Sequence, residues 1–103
     1  MAWEVEFLGS ALQDLEEIAE FLAQYDPDAA RRIVGELVEA GESLDHAAER
    51  GRMVPERKQP HIRELIVGQY RVMYLLRGQR VRIARVLRAS RDFHTAIGQD
   101  LDQ

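Results

Sequence analysis

Residues 68–88 read Gly68-Gln69-Tyr70-Arg71-Val72-Met73-Tyr74-Leu75-Leu76-Arg77-Gly78-Gln79-Arg80-Val81-Arg82-Ile83-Ala84-Arg85-Val86-Leu87-Arg88. Apolar and β-branched residues dominate both halves, and Gly78 marks a turn between them, the pattern of a β-hairpin. Arginine interrupts the hairpin repeatedly, although the chain as a whole carries a formal charge of −4. Working backwards, His61 to Val67 makes a further strand, ended by Gly68. Tight turns make three consecutive strands antiparallel neighbours.

Upstream the period changes. Ala11, Leu12, Leu15, Ile18, Ala19 and Leu22 recur at three and four, one apolar helical stripe. Ser10 with Gln13 three residues later predicts a capping box at its start. Tyr25-Asp26-Pro27-Asp28 is a break and a restart. Asp26 suits an N-cap, and Pro27 the first turn of a second helix with a stripe from Ala30 to Leu44. Two helices joined this tightly form an antiparallel hairpin. Before them, Trp3-Glu4-Val5-Glu6-Phe7 alternates as a strand does. Arg50 to Pro60, with two prolines and a glycine, reads as a basic loop. The predicted order is β-α-α-β-β-β: an α+β domain over residues 1–103, its helical hairpin packed on one face of a small antiparallel sheet.

Composition narrows the function. The chain has 103 residues, enough for one modest core. It has no cysteine, so disulfide and thiolate chemistry are excluded. His46, His61 and His94 lack zinc-type spacing, and neither metal nor cofactor is expected. No apolar run approaches the ~20 residues of a membrane span. The first residues lack the features of a signal peptide, so a cytoplasmic protein with no membrane partner is expected. Charge is unevenly divided. Residues 1–49 hold 13 acidic and 2 basic side chains, and residues 50–103 hold 5 acidic and 12 basic, giving −11 against +7. That asymmetry predicts one anionic and one cationic face.

Strand alternation places Tyr70, Val72, Tyr74 and Leu76 on one face and Arg71, Met73 and Leu75 on the other. In the last strand it groups Val81, Ile83, Arg85 and Leu87. Helices cover one face only, so the face with Met73, Leu75 and arginines is expected to be open for a partner. For any single arginine the simpler reading is a stem laid on apolar surface, or a cross-strand pair with Glu64.

The run Ile62-Arg63-Glu64-Leu65-Ile66-Val67-Gly68-Gln69-Tyr70-Arg71-Val72-Met73-Tyr74, followed by Ile83-Ala84-Arg85-Val86-Leu87-Arg88-Ala89-Ser90-Arg91-Asp92, resembles toxins of the RelE/ParE superfamily of bacterial type II toxin–antitoxin systems. The resemblance covers nearly the whole chain and is closer to the ParE-like branch. It implies a growth-inhibiting toxin neutralised by an antitoxin encoded beside it, in a hetero-oligomer. Part of that antitoxin would fold over the toxin's helices and sheet, here on Leu15, Leu22, Met73 and Leu75. ParE-like toxins block DNA gyrase without catalysis. The target-binding surface would then be Arg85 to Phe93, with Arg85, Arg88, Arg91 and Phe93 foremost.

RelE-like toxins instead cut messenger RNA at the ribosome. That alternative would use Arg71 and Arg91 as phosphate-facing cations, with His94 for proton transfer. The lysine positions of RelE-type nucleases fall here at Ile62 and Glu64, and the tail tyrosine position near Ile97. The electrostatic part is thus present and the proton-transfer part largely missing. A third reading is a non-toxic binding module derived from the family.

Overall fold

The computed structural model describes residues 2–89. The elements are β1 (Glu4–Phe7), α1 (Gly9–Ala23), α2 (Pro27–Glu42), β2 (Arg52–Met53), β3 (Ile62–Val67), β4 (Tyr70–Arg77) and β5 (Arg80–Arg88). Two short 3₁₀ turns, Ser43–Asp45 and Ala48–Arg50, lead from α2 to β2. The five strands form one sheet in the order β1-β5-β4-β3-β2. The α+β architecture and the helical hairpin are as the sequence predicts. Two features are additional. β1 joins the sheet parallel to β5, not antiparallel, and the basic loop contributes the two-residue strand β2 beside Arg63 and Glu64.

Local chemistry explains most boundaries. Asp26 caps α2, its carboxylate accepting from the N–H groups of Asp28 at 3.1 Å and Ala29 at 3.2 Å, with Pro27 in the first turn. Turn residues Gly78 and Gln79 both have positive φ, 53° and 67°, the backbone twist that a two-residue hairpin needs. The predicted capping box at Ser10 is not formed. α1 begins at Gly9 behind Leu8, which offers no capping side chain. Ser10 reaches away from its own helix and donates to the Ala84 carbonyl at 2.6 Å. The sheet, not the helix end, uses that hydroxyl.

The main core lies between the helices and the sheet. Its buried members include Ala11, Leu15, Leu37, Leu44, Val72, Tyr74, Val81, Ile83 and Val86. Gly41 lets α2 approach: a Cβ there would lie 2.6 Å from both Ile83 Cδ1 and Phe7 Cζ. The opposite face is not open in the way alternation predicts. Met73 is fully buried there with Val54, Ile62, Ala84 and Leu87, and Leu75 packs partly buried against them. Val54 comes from the loop after β2, so the segment read as a plain loop supplies core.

Strict alternation also fails in β5. Tyr74 pairs with Ile83 and Met73 with Arg85, so Ala84 is an extra residue in a β-bulge. Beyond it the phase is reversed. Val81 and Ile83 share the helix-side core with Val86, while Leu87 joins Met73 on the other face. Arg85 therefore does not share a face with Val81 and Ile83.

Candidate functional site

Most hairpin arginines have named partners, and the partners explain the charge pattern. Arg80 and Arg82 stand opposite Glu4 and Glu6 in the β1–β5 pairing, with charged atoms 3.6 Å and 3.9 Å apart. Arg63 donates to the carbonyls of Pro60, Glu49 and Gly51. Glu4 and Glu6 of the acidic half thus lie against arginines of β5.

Arg71 is the most enclosed, at 4% exposure. Its Nε donates to Glu64, and its two terminal nitrogens donate to the two oxygens of Glu56 at 3.0 Å and 2.9 Å. Glu64, itself 1% exposed, also accepts from Arg52 Nε at 2.6 Å. Two arginines and two carboxylates alternate in one chain of contacts spanning β2, β3, β4 and the loop at Glu56. Burial by itself would lower the Arg71 pKa. The hydrogen bonds and negative charges of Glu56 and Glu64 outweigh it, leaving the guanidinium above its ordinary value. It is a permanent cation whose fork is filled by carboxylates. Glu64, read from the sequence as a possible cross-strand partner of an arginine, binds Arg71 beside it.

A second constellation holds the end of β5. β1 stops pairing at Phe7–Ile83, and Leu8 N–H makes the last main-chain bond, to the Ile83 carbonyl at 2.9 Å. From there α1 runs beside the edge of β5. Ser10 takes the Ala84 carbonyl, and one helical turn on, Asp14 takes the Val86 N–H at 2.8 Å. Asp14 also accepts from Arg85 Nε at 2.8 Å and from a terminal nitrogen at 2.9 Å. Helix side chains replace the missing strand. Further along opens a cleft of about 350 Å³, lined by residues including Ile18, Phe21, Tyr70, Val86 and Arg88. A neighbouring cleft of about 370 Å³ between α2 and the β3–β4 turn shares Tyr70 and Arg88 with it.

Of the residues expected to contact a target, Arg85 is held by Asp14 with its side chain 18% exposed, whereas Arg88 is exposed and donates to Gln69 at 3.0 Å. Arg91, Phe93 and His94 lie outside the described residues. Of those expected to bind an antitoxin, Leu22 lines the second cleft and Leu75 is half-buried. Leu15 at 6% exposure and Met73 at 0% are core residues, not surface contacts. Arg71 stands directly across from Leu87 in the β4–β5 pairing, but its fork is engaged by Glu56 and Glu64.

Sequence reasoning passed over Asp14. Its signal is an acidic residue one turn after Ser10, set between Ala11, Leu15 and Ile18 on the inward side of α1. Among the described residues no three His, Asp or Glu side chains gather as a metal site, and no helix is long and apolar enough to cross a membrane.

A protein-family profile described as "ParE toxin of type II toxin-antitoxin system, parDE" matches residues 5–93. The chain belongs to the ParE toxin family. This ParE-family toxin is 35% identical over 82 residues to Toxin RelE2 of Caulobacter vibrioides, covering 79% of this chain and 89% of that one. Its fold resembles that of a chain from the chromosomal ParDE toxin–antitoxin system of P. aeruginosa. The TM-score is 0.71 and the identity 22%, over 84% of this chain and 96% of that one. It also resembles a chain of the RelBE2 toxin–antitoxin complex of Mycobacterium tuberculosis, with TM-score 0.64 and identity 22%, over 85% and 99% of the two chains. At that identity the two structures speak for the fold. Membership in the family makes the chain a toxin of the type II toxin–antitoxin class.

Proposed function

We propose that this toxin inhibits growth by binding DNA gyrase in the cytoplasm, without catalysis of its own, and that an antitoxin encoded beside it neutralises it in a hetero-oligomeric complex. The observation that carries the gyrase reading is the state of Arg71. RNA cleavage by the 2′-hydroxyl needs cations that can face the phosphate and a group that can take a proton. The Arg71 fork is enclosed and occupied by Glu56 and Glu64, and the resemblance would put a nuclease lysine at the position of Glu64. The ParE profile spans the helical hairpin and the strands alike, which agrees with this reading. The working surface is then the end of β5 and the residues after it, with Arg88 exposed at its start. The solved relatives come from toxin–antitoxin systems, which supports the antitoxin partner.

The second reading, a ribosome-dependent endoribonuclease, is favoured by one observation, the RelE2 name of the 35% identical relative. Pulse labelling separates the two. The chain is induced alone in a bacterial host, and thymidine and methionine incorporation are followed over the first minutes. Gyrase inhibition stops thymidine incorporation first, while translation continues. Early loss of methionine incorporation would replace this reading with the nuclease. Growth unaffected by the chain alone would leave the non-toxic binding module.

A further inference from the structure

The cleft between α1 and the end of β5 is bounded on one side by unpaired main chain. The Ala89 N–H donates to the Gln69 carbonyl at 2.8 Å, so Ala89 points towards β4. Alternation along the strand then turns Val86 and Arg88 the other way, towards the edge that β1 leaves uncovered. The Val86 N–H is taken by Asp14. The Arg88 N–H and carbonyl have no partner among the described residues, and Arg88 lines the cleft with Ile18, Phe21 and Tyr70, whereas Val86 is enclosed at 2% exposure. Phe21 is 49% exposed there, and Arg88 stands exposed at the rim.

We propose that this cleft is a strand-addition slot, taking a short extended segment of the antitoxin along the line that β1 abandons at Phe7. The inference rests on the antitoxin partner proposed above. Unpaired donors and acceptors on a sheet edge call for the main chain of an extended segment, because a helix presents none along its flank. The apolar lining calls for one hydrophobic side chain between Ile18 and Phe21. The exposed guanidinium of Arg88 calls for a carboxylate beside it. A segment seated there covers Arg88, the described part of the proposed target surface, so neutralisation follows by occlusion.

The test uses the full chain and its adjacent-gene antitoxin as the probe, comparing Arg88→Ala with Arg88→Pro. Both lose the charge. Only proline removes the N–H, and at this edge position no bond to β4 is lost with it. Antitoxin binding by Arg88→Pro about tenfold weaker than by Arg88→Ala is the expected result. Equal binding by the two variants overturns the slot and leaves the antitoxin pairing standing. Should the proline variant melt lower, amide exchange of the unaltered chain decides. The Arg88 amide gains protection on antitoxin binding if the slot is used, and unchanged exchange overturns it. A natural chain that does not bind the antitoxin at all overturns both the slot and the pairing on which it rests.

Discussion

Asp14 grips Arg85 through both carboxylate oxygens, at 2.8 Å and 2.9 Å, and the same side chain accepts the Val86 N–H at 2.8 Å. One acidic residue on α1 thus fixes the bulged part of β5 and orients the strand end that leads to the proposed target surface. Both members are largely buried, with side-chain exposures of 8% and 18%. Losing the Asp14 carboxylate takes a buried acceptor from both Arg85 and the Val86 N–H. Asp14→Ala is expected to destabilise the fold by about 3 kcal/mol, read by urea denaturation. A loss below about 1 kcal/mol, the range of exposed pairs, would contradict this account.

The Arg52–Glu64–Arg71–Glu56 chain leads to a different expectation. Glu64 binds two arginines and has no access to water. Glu64→Gln keeps the shape but leaves two cations facing a neutral amide. It is expected to cost about 3 kcal/mol, and Arg71→Met to cost a similar amount by removing the buried cation that Glu56 and Glu64 share. Made together, the two changes should cost less than the sum of the singles, with a coupling of about 1–3 kcal/mol in a double-mutant cycle. Additive losses would mean that the contacts are incidental.

The sequence was legible where one rule acted alone. Period-two strands, three-and-four helices, Asp26 with Pro27, and the glycine turns each gave their element. It misled where one residue served two elements. Ser10 is a good cap by local rules, yet its hydroxyl meets a greater need at the Ala84 carbonyl, which lacks a strand neighbour. The bulge at Ala84 leaves no mark in hydrophobicity, because Val86 and Leu87 are both apolar and either phase reads well. The destination of each arginine was likewise hidden. A count of charges in the second half of the chain cannot reveal that Glu4, Glu6 and Asp14 from the first half lie against it.

Two glycines on α2 should respond oppositely to the same change. Gly35 is exposed, and a Cβ there meets nothing within 4 Å. Gly35→Ala should stabilise by about 0.5–1 kcal/mol through helix propensity. Gly41→Ala gains the same propensity but drives its methyl into Ile83 and Phe7. Overpacking costs about 1–3 kcal/mol, so the net effect should be destabilising. Melting temperatures of the two variants, moving up for one and down for the other, check the close approach of α2 to the sheet.

Tyr74 ties the core to the segment before β2. Its hydroxyl donates to the Ala48 carbonyl at 2.8 Å and accepts from the Gly51 N–H at 3.0 Å. Burial raises its pKa above the ordinary value of 10.0, and the hydrogen bond from Gly51 offsets only part of that rise. Tyr74→Phe strands two buried main-chain groups and should cost about 1–3 kcal/mol near neutral pH. A raised pKa means that the folded state keeps its proton longer than the unfolded one. The contribution is therefore complete below the ordinary value and shrinks as pH climbs above it. The stability gap between the natural chain and Tyr74→Phe should narrow between neutral and strongly alkaline pH. A gap that widens would reverse the sign of this linkage.

His94 separates the two toxic readings at the level of a single side chain. In a nuclease of the kind considered, it is the group available for proton transfer besides carboxylates, and its loss would lower cleavage by roughly 10²–10⁴-fold. A toxin that acts by binding gyrase has no proton to move. His94→Ala is therefore expected to leave growth inhibition near that of the natural chain, whereas Arg88→Glu, reversing the exposed charge at the end of β5, should weaken it. Growth curves after induction, with matched amounts of soluble toxin, make the comparison. Toxicity lost with His94→Ala and kept with Arg88→Glu would exchange the two assignments and direct attention to RNA.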